Sequence, residues 1–210
     1  MLTNNSDQDQ IINYFSWETE FDATVLIGDV VYPNSYNVRI SFIPKISDIK
    51  LQNNSFDRIK YLFHKLCENS VILQPKVESE SFFFKMPVNK ILLPGNPYDQ
   101  LLGICLYHKC MAISGKYLHI GQLSIDSKLG DSVVYTVDND SYENTNLKTD
   151  IYKDTIIKEP WWARNDTSTF DQVLGPDKYW TGANTWRDLG YGSNAPKKEF
   201  NPTILDGGRS

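Results

Sequence analysis

Two β-branched segments near the N-terminus constrain the fold more than any other feature of the sequence. Residues 21–31 and 35–43 are rich in Val and Ile, and residues 32–35 (Tyr-Pro-Asn-Ser) between them place Pro and Asn where turns favour these residues. The pattern predicts a β-hairpin. In its second arm apolar and polar side chains alternate, which predicts a sheet with one buried face and one face in water.

Two helices are predicted after the hairpin. Residues 55–69 begin with Ser55, a residue type that caps helices, and carry apolar side chains at helical spacing. The second helix is predicted to begin at residues 96–99 (Asn-Pro-Tyr-Asp), with Asn as the cap and Pro at the first helical position. Its body, 101–113, is apolar nearly all round, so it is expected to be the most buried helix before residues 114–115 (Ser-Gly) end it.

The order of the remaining elements predicts the fold class. Strands are predicted at 71–73, at 81–84 as a central strand, and at 117–126 and 132–138, the last two joined by a loop in which Gly130 can adopt positive φ. The chain has no alternating βαβ run. We therefore predict a two-layer α+β sandwich, with a mainly antiparallel sheet and two helices on one face.

The character of the sequence changes near residues 140–152, where polar stretches without periodicity begin. This change predicts an α+β domain at 1–150 and an extended, aromatic-rich C-terminal arm at 151–210. The arm holds four of the five Trp residues. Large aromatic side chains need burial, so the arm is expected to lie against a surface.

Composition excludes several classes of function. The net charge of −5 and the pI near 5.2 argue against a partner held by phosphate contacts, so nucleic acid is not an expected partner. The N-terminus lacks the features of a secretory signal, and no apolar run approaches the ~20 residues that span a bilayer. The three cysteines are an odd number and predict buried thiols, in a protein that is not secreted and does not enter a membrane.

No recognisable catalytic or metal-binding set stands out. Cys105, His108 and Cys110 do not share one face of a helix, and no second pair completes four metal ligands. Asp126, Asp131, Asp138 and Asp140 lie near one hairpin and its exit and could form a carboxylate pair or hold a divalent ion, but turns and strand ends carry such residues without function. Glycine-rich phosphate-binding motifs are absent from the sequence. No catalytic residue, metal or cofactor is therefore predicted.

The strongest signal for binding lies in the C-terminal arm. Trp, Tyr and Arg are the residue types that dominate interface hot spots. The predicted partner-binding residues are Trp161, Trp162, Arg164, Tyr179, Trp180, Trp186 and Arg187. An alternative of equal weight is that the arm covers the chain's own sheet, on its wet face or at an edge strand.

Two segments carry a resemblance to other proteins. They are residues 96–137 (NPYDQLLGICLYHKCMAISGKYLHIGQLSIDSKLGDSVVYTV) and residues 160–171 (PWWARNDTSTFD). Both resemble uncharacterised proteins encoded by tailed bacteriophages. The resemblance implies a viral origin and action in the host cytoplasm or in the virion, and it carries no site residues with it.

These features favour a non-enzymatic interaction protein that binds through its Trp-rich arm. The expected partner is a host protein, a virion neighbour or a second copy of the chain, which would make a homo-oligomer. The alternative is a small-ligand-binding protein or an enzyme. Its site would lie between the sheet and residues 153–187, lined by Trp161, Trp162, Tyr135 and the aspartates near 126–140.

Overall fold

The computed structural model describes residues 14–74, 87–139, 158–175, 178–180 and 184–191. The strands of the main sheet are β1 (Phe15–Ile27), β2 (Val30–Pro44), β3 (Ser70–Leu73), β4 (Lys90–Leu92), β5 (Leu118–Ser127) and β6 (Tyr135–Asp138). The helices are α1 (Ile49–Tyr61), which continues into a π-helical turn (Leu62–Cys67), and α2 (Asp99–Ser114). A 3₁₀ turn (Trp161–Ala163) and a separate two-stranded sheet of β7 (Gln172–Gly175) and β8 (Lys178–Trp180) follow.

The six strands have the spatial order β4-β3-β1-β2-β5-β6. Strands β1, β2, β5 and β6 pair in antiparallel fashion, whereas β3 runs parallel to both β1 and β4. Helices α1 and α2 pack on one face, and their apolar side chains share one core with that face. The predicted α+β fold with two helices on one face is confirmed. The two parallel pairs were not predicted from the sequence, because they depend on the side of β1 to which the chain returns after α1.

The sheet has the predicted dry and wet faces. Phe21, Ala23 and Val25 of β1 are buried beneath the helices, whereas Glu18 and Glu20, at alternate positions earlier in the strand, are exposed on the other face. Strand β2 alternates in the same way over residues 36–42. The alternation follows from the two-residue period of a strand, and it leaves a polar face that the helices do not cover.

The hairpin turn lies earlier than the sequence predicted. Gly28, at a φ of +62°, and Asp29 connect β1 directly to β2, and Gly adopts this backbone conformation without steric cost. Pro33 and Asn34 are therefore strand residues, not turn residues. Pro33 has no N–H to donate, and it is tolerated because β5 begins to pair with β2 only at Tyr36.

The first helix begins earlier than predicted. Its N-cap is Asp48, whose carboxylate accepts from the backbone N–H groups of Lys50 and Leu51 at 2.9 and 3.2 Å. Ser55, the predicted cap, lies inside α1, where its buried hydroxyl donates to the carbonyl of Ser114. The carboxylate of Asp48 thus provides the capping bonds that the sequence analysis assigned to Ser55.

The second helix begins later than predicted and ends where expected. Tyr98 is the residue before α2 and contributes no side-chain cap, so the cap predicted at Asn96 is wrong. Gly115 follows the last turn at a φ of +60°, as a helix-terminating glycine should.

The predicted strands at 71–73, 117–126 and 132–138 correspond to β3, β5 and β6. The predicted strand at 81–84 and the predicted boundary at 140–152 lie outside the described residues. The division into 1–150 and 151–210 stays a prediction. Among the described residues, no helix is both long enough and apolar enough to cross a membrane.

Candidate functional site

Residues 158–171, here called the C-terminal segment, pack against the main sheet and α2. Trp161 is fully buried, and its indole N–H donates to the backbone carbonyl of Leu92 at 2.7 Å. Trp162 is buried beside it, with the two ring centroids 5.6 Å apart and the rings nearly perpendicular. Both residues belong to the main core. Their large apolar surfaces are thus covered within the chain.

The C-terminal segment covers one edge of the main sheet. The backbone N–H of Leu92 in β4 donates to the carbonyl of Thr169 at 3.1 Å. Phe170 packs with Leu26, Val71 and Leu73 in a second, smaller core on the face opposite the helices. Residues 158–171 therefore pack as the alternative hypothesis proposed, against an edge strand of the chain's own sheet. Unpaired edge strands promote association between chains, and this contact protects β4.

A buried lysine holds the C-terminal segment in place. Lys109 in α2 is fully buried, and its Nζ donates to the carbonyls of Trp161 and Arg164 at 2.9 and 2.8 Å. It also contacts Asp166 Oδ1 at 3.1 Å. Burial lowers the pKa of Lys109 to about 8, although the Asp166 carboxylate opposes that change. All three ammonium hydrogens have acceptors, so this lysine holds the segment and is not free to react.

The Lys109–Asp166 contact predicts a loss of stability in acid. Burial alone would raise the pKa of Asp166, but Lys109 and the Ser168 hydrogen bonds together lower it below its ordinary value of 3.8. The stabilisation from a lowered carboxyl pKa is complete above the unfolded value and disappears as the pH falls through the folded value. We expect Asp166→Asn to flatten the fall in unfolding free energy below pH 4, measured by urea denaturation across pH. An unchanged slope would contradict this assignment.

Arg164, predicted to bind a partner, has partners within the chain. It forms an ion pair with Asp171 at 2.7 Å and donates to the carbonyl of Glu159 at the same distance. Tyr179 and Trp180 belong to β8. Their role in partner binding stays a prediction.

Trp186 and Arg187 are adjacent but differently placed. Trp186 is buried, and its indole N–H donates to Asn165 Oδ1 at 3.1 Å. Arg58 lies over the Trp186 ring, 5.7 Å from its centroid. Arg187 is exposed to solvent. Of the predicted binding residues whose side chains the structure describes, the three Trp are thus packed within the chain, and Arg187 is the most accessible.

A different region carries the exposed apolar side chains. The β1–β2 hairpin, the N-terminus of α2 and the β5–β6 loop together hold eight large exposed hydrophobic residues, which we call the hairpin-end surface. They are Ile27, Val30, Val31, Tyr32, Tyr98, Leu129, Val133 and Val134. Sequence analysis did not single out this surface, because the same residue types would serve equally well in a core.

A pocket of about 260 Å³ opens at the hairpin-end surface, on the helix side of the sheet. Its walls combine aliphatic side chains with three tyrosines and are mostly apolar. The residues concerned are Val25, Ile27, Leu129, Tyr36, Tyr98 and Tyr135.

An acidic residue lies in this pocket. Asp99, the first residue of α2, is 8% exposed and accepts a hydrogen bond from the Ser127 hydroxyl at 2.6 Å. Burial raises the pKa of the Asp99 carboxyl, the Ser127 bond opposes that change, and the Asp126 charge adds to the rise. A side chain at Gly130 would overlap the Asp99 carboxylate, so glycine is required here for close approach. The predicted positive φ belongs instead to Asp131 and Ser132.

Asn34 fastens the β5–β6 loop to the hairpin. Its side-chain oxygen accepts from the backbone N–H groups of Ser35 and Leu129, both at 3.0 Å. It shares a face of β2 with Tyr36, because residues two apart point the same way. The loop is closed further by the Lys128 N–H, which donates to the Ser35 carbonyl. These bonds fix the walls of the pocket.

The cysteines and His108 do not form a reactive or metal-binding site. Cys67, Cys105 and Cys110 are buried free thiols, as the sequence predicted, and burial raises the pKa of each. Burial lowers the pKa of His108 to about 4. No group of three or more His, Cys, Asp or Glu residues within the described ranges is placed to hold a metal ion.

The candidate aspartates that the structure describes do not meet at one site. Asp126 lies on the wet face of the sheet, where it accepts from the Asn37 amide at 2.9 Å. An open depression of about 490 Å³ lies there, and Glu18 and Arg39 beside it pair with each other at 2.7 Å. Asp131 lies in the β5–β6 loop, Asp138 lies in β6, and Asp140 lies outside the described residues. The charges on this face are largely matched or exposed to water, so the smaller apolar pocket is the better candidate site.

Comparisons with known proteins assign no family. No family model matches the chain, and no curated protein matches it. Among solved structures, 6-pyruvoyltetrahydropterin synthase from Plasmodium vivax is 11% identical, with a TM-score of 0.40, and the match covers 60% of this chain and 96% of that one. The Plasmodium falciparum enzyme is 12% identical, with a TM-score of 0.39 and the same coverage. At TM-scores below 0.5, no activity follows for this chain.

Proposed function

We propose that this chain is a non-enzymatic interaction protein that binds a protein partner through the hairpin-end surface. The observation that carries the proposal is the concentration of exposed apolar side chains there. Val30 and Val133 are each about half exposed, at 52% and 51%. Contiguous apolar patches on a protein surface commonly mark sites of interaction, whereas single exposed hydrophobic residues do not.

Hydrogen bonds hold the loop and the hairpin of this surface in place, so a partner can bind with little change in backbone conformation. The Asn34 and Lys128 hydrogen bonds tie the β5–β6 loop to the hairpin, and the Ser127–Asp99 bond ties the same loop to α2. Surfaces that are ordered before association lose less conformational entropy on binding. The phage resemblance supports a host protein, a virion neighbour or a second copy as the partner. Arg187, exposed beside the buried Trp186, is the part of the predicted arm best placed to add a contact.

A double variant tests the proposal. Val30→Asp with Val133→Asp places two charges on the hairpin-end surface, and Ile49→Asp is the matched control at an exposed apolar site on α1. We expect the double variant to weaken binding about tenfold or more, because charges are disfavoured in the core of an interface. The control should retain binding.

The proposal is tested by two measurements. Light scattering after size exclusion, over a range of concentrations, reports self-association. Affinity capture from bacterial lysate, with the same captured protein quantified for each variant, reports a host partner. If the double variant and the control both self-associate and capture the partner like the natural chain, the hairpin-end surface is not the interface.

The pocket favours small-ligand binding as a second candidate function. Its apolar walls and its carboxyl group are features of ligand sites. It lies at the hairpin end, and not between the sheet and residues 153–187. The alternative of a small-ligand-binding protein or an enzyme at that earlier location stays a prediction.

A further inference from the structure

The pocket at the hairpin end also has its own chemical preference, which does not depend on a protein partner being bound. We propose that it is a binding site for an alkylammonium group, supplied by a free amine or by the side chain of a lysine. The ammonium would lie against the Asp99 carboxylate, and its alkyl chain would lie between the tyrosines and aliphatic residues of the walls.

The tyrosines supply the first argument. Three tyrosines from different parts of the chain line the pocket. Tyr36 belongs to β2, Tyr98 directly precedes α2, and Tyr135 belongs to β6. Aromatic faces attract cations, and several rings around one cavity are the usual way in which proteins bind alkylated ammonium groups. The aliphatic residues Val25, Ile27 and Leu129 provide contact for an alkyl chain.

The unbalanced charge of Asp99 supplies the second argument. The residue is 8% exposed, and Ser127 is its hydrogen-bond donor. No Lys, Arg or His in the described ranges forms an ion pair with it. A buried carboxylate without a cation is costly, and a bonded cation offsets part of that cost. A ligand ammonium would provide the missing charge.

The surrounding electrostatics is compatible with a cation. The N-terminus of α2 carries a partial positive charge of about one half, which a full carboxylate at its first residue outweighs. The nearby Asp126 contributes a further negative charge, and it raises the pKa of Asp99. These carboxylates favour a cation over an anion in the pocket.

The size of the pocket indicates the size of the ligand. At about 260 Å³ it is smaller than the ~300–1,000 Å³ typical of sites for drug-sized molecules. A four-carbon ammonium chain, which is the end of a lysine side chain, is of the right order. Tyr98 is 60% exposed, so the mouth of the pocket is open to such a group.

The test is a titration of the full chain, followed by NMR through the backbone amide signals of Leu129 and Gly130. The probes are n-butylammonium, Nα-acetyl-lysine N-methylamide and, as a neutral molecule of similar shape, 1-pentanol. Asp99→Asn keeps an acceptor for Ser127 and removes the charge. Glu20→Gln removes a carboxylate charge from the wet face, outside the pocket, and is the control.

We expect saturable shifts with the two ammonium probes, weakened about tenfold or more by Asp99→Asn and about twofold or less by Glu20→Gln. Tighter binding of the acetyl-lysine probe than of n-butylammonium would indicate a protein lysine, and the reverse would indicate a free amine. Equal binding of 1-pentanol, or equal binding by the Asp99→Asn chain, would overturn the proposal. The Val30→Asp, Val133→Asp variant should lose its protein partner and keep the ammonium titration, so the two proposals can fail separately.

Discussion

Replacing Lys109 with Met should lower the free energy of unfolding by about 3–5 kcal/mol, the usual consequence of removing one member of a buried ion pair. The methionine fills similar space but leaves the carbonyls of Trp161 and Arg164 and the carboxylate of Asp166 without their donor. Urea denaturation of both chains, monitored by Trp fluorescence, measures the difference.

Lys60→Met is the matched control. Lys60 pairs with Asp57 one turn earlier on α1, and both side chains are about 40% exposed. Exposed pairs of this kind contribute only about 0–1 kcal/mol. If the Lys109→Met chain does not fold well enough for a complete urea denaturation curve, Asp166→Asn is a milder change that removes the charge partner. It should also lower the free energy of unfolding. Equal effects at Lys109 and Lys60 would mean that the C-terminal segment does not depend on the buried lysine.

Replacing Trp161 with Ala should have an effect of similar size, about 3–5 kcal/mol, because it leaves a cavity in the core. The Trp161 side chain is fully buried, and its loss also leaves the Leu92 carbonyl on β4 without the indole donor. We expect a lower urea midpoint and faster proteolysis within residues 158–171, since that segment would lose its anchor.

Tyr98→Ala is the control for the size of the side chain. Tyr98 is also a large aromatic residue, but it is 60% exposed at the mouth of the pocket, so its removal should change stability by about 0.5 kcal/mol or less. A Trp161→Ala chain that unfolds like the natural protein but loses a partner would show that this tryptophan serves binding, as the sequence suggested, and not packing.

The periodic parts of the sequence predicted the fold well. Residues 36–42 alternate strictly, and 101–113 are apolar all round, so a strand with one wet face and a central helix follow from local pattern alone. Boundaries were less predictable. Ser55 and Asp48 are both residue types that cap helices, seven positions apart, and residue type alone did not identify Asp48 as the cap.

The pocket could not be predicted because its parts are far apart in sequence. Tyr36, Asp99 and Tyr135 come from three elements, and no local pattern indicates that they share one cavity. The signal at Asn34 was assigned to a turn, since Asn after Pro usually belongs to one. The aromatic composition of the arm indicated that its Trp residues need burial, and Trp161, Trp162 and Trp186 are buried. Composition does not distinguish burial against the chain's own sheet from burial against a partner.

The cover that residues 167–171 place on β4 has a consequence for the order in which the protein can fold during synthesis. All six strands are outside the ribosome once Asp138 has emerged from it. At that stage the contacts of Thr169 and Trp161 with Leu92 of β4 have not yet formed. Domains synthesised from the N-terminus can begin to fold at that stage with an edge exposed. The nascent sheet therefore depends on contacts that are made late in synthesis, and a chain interrupted before residue 158 would lack the Thr169 and Trp161 contacts that cover β4.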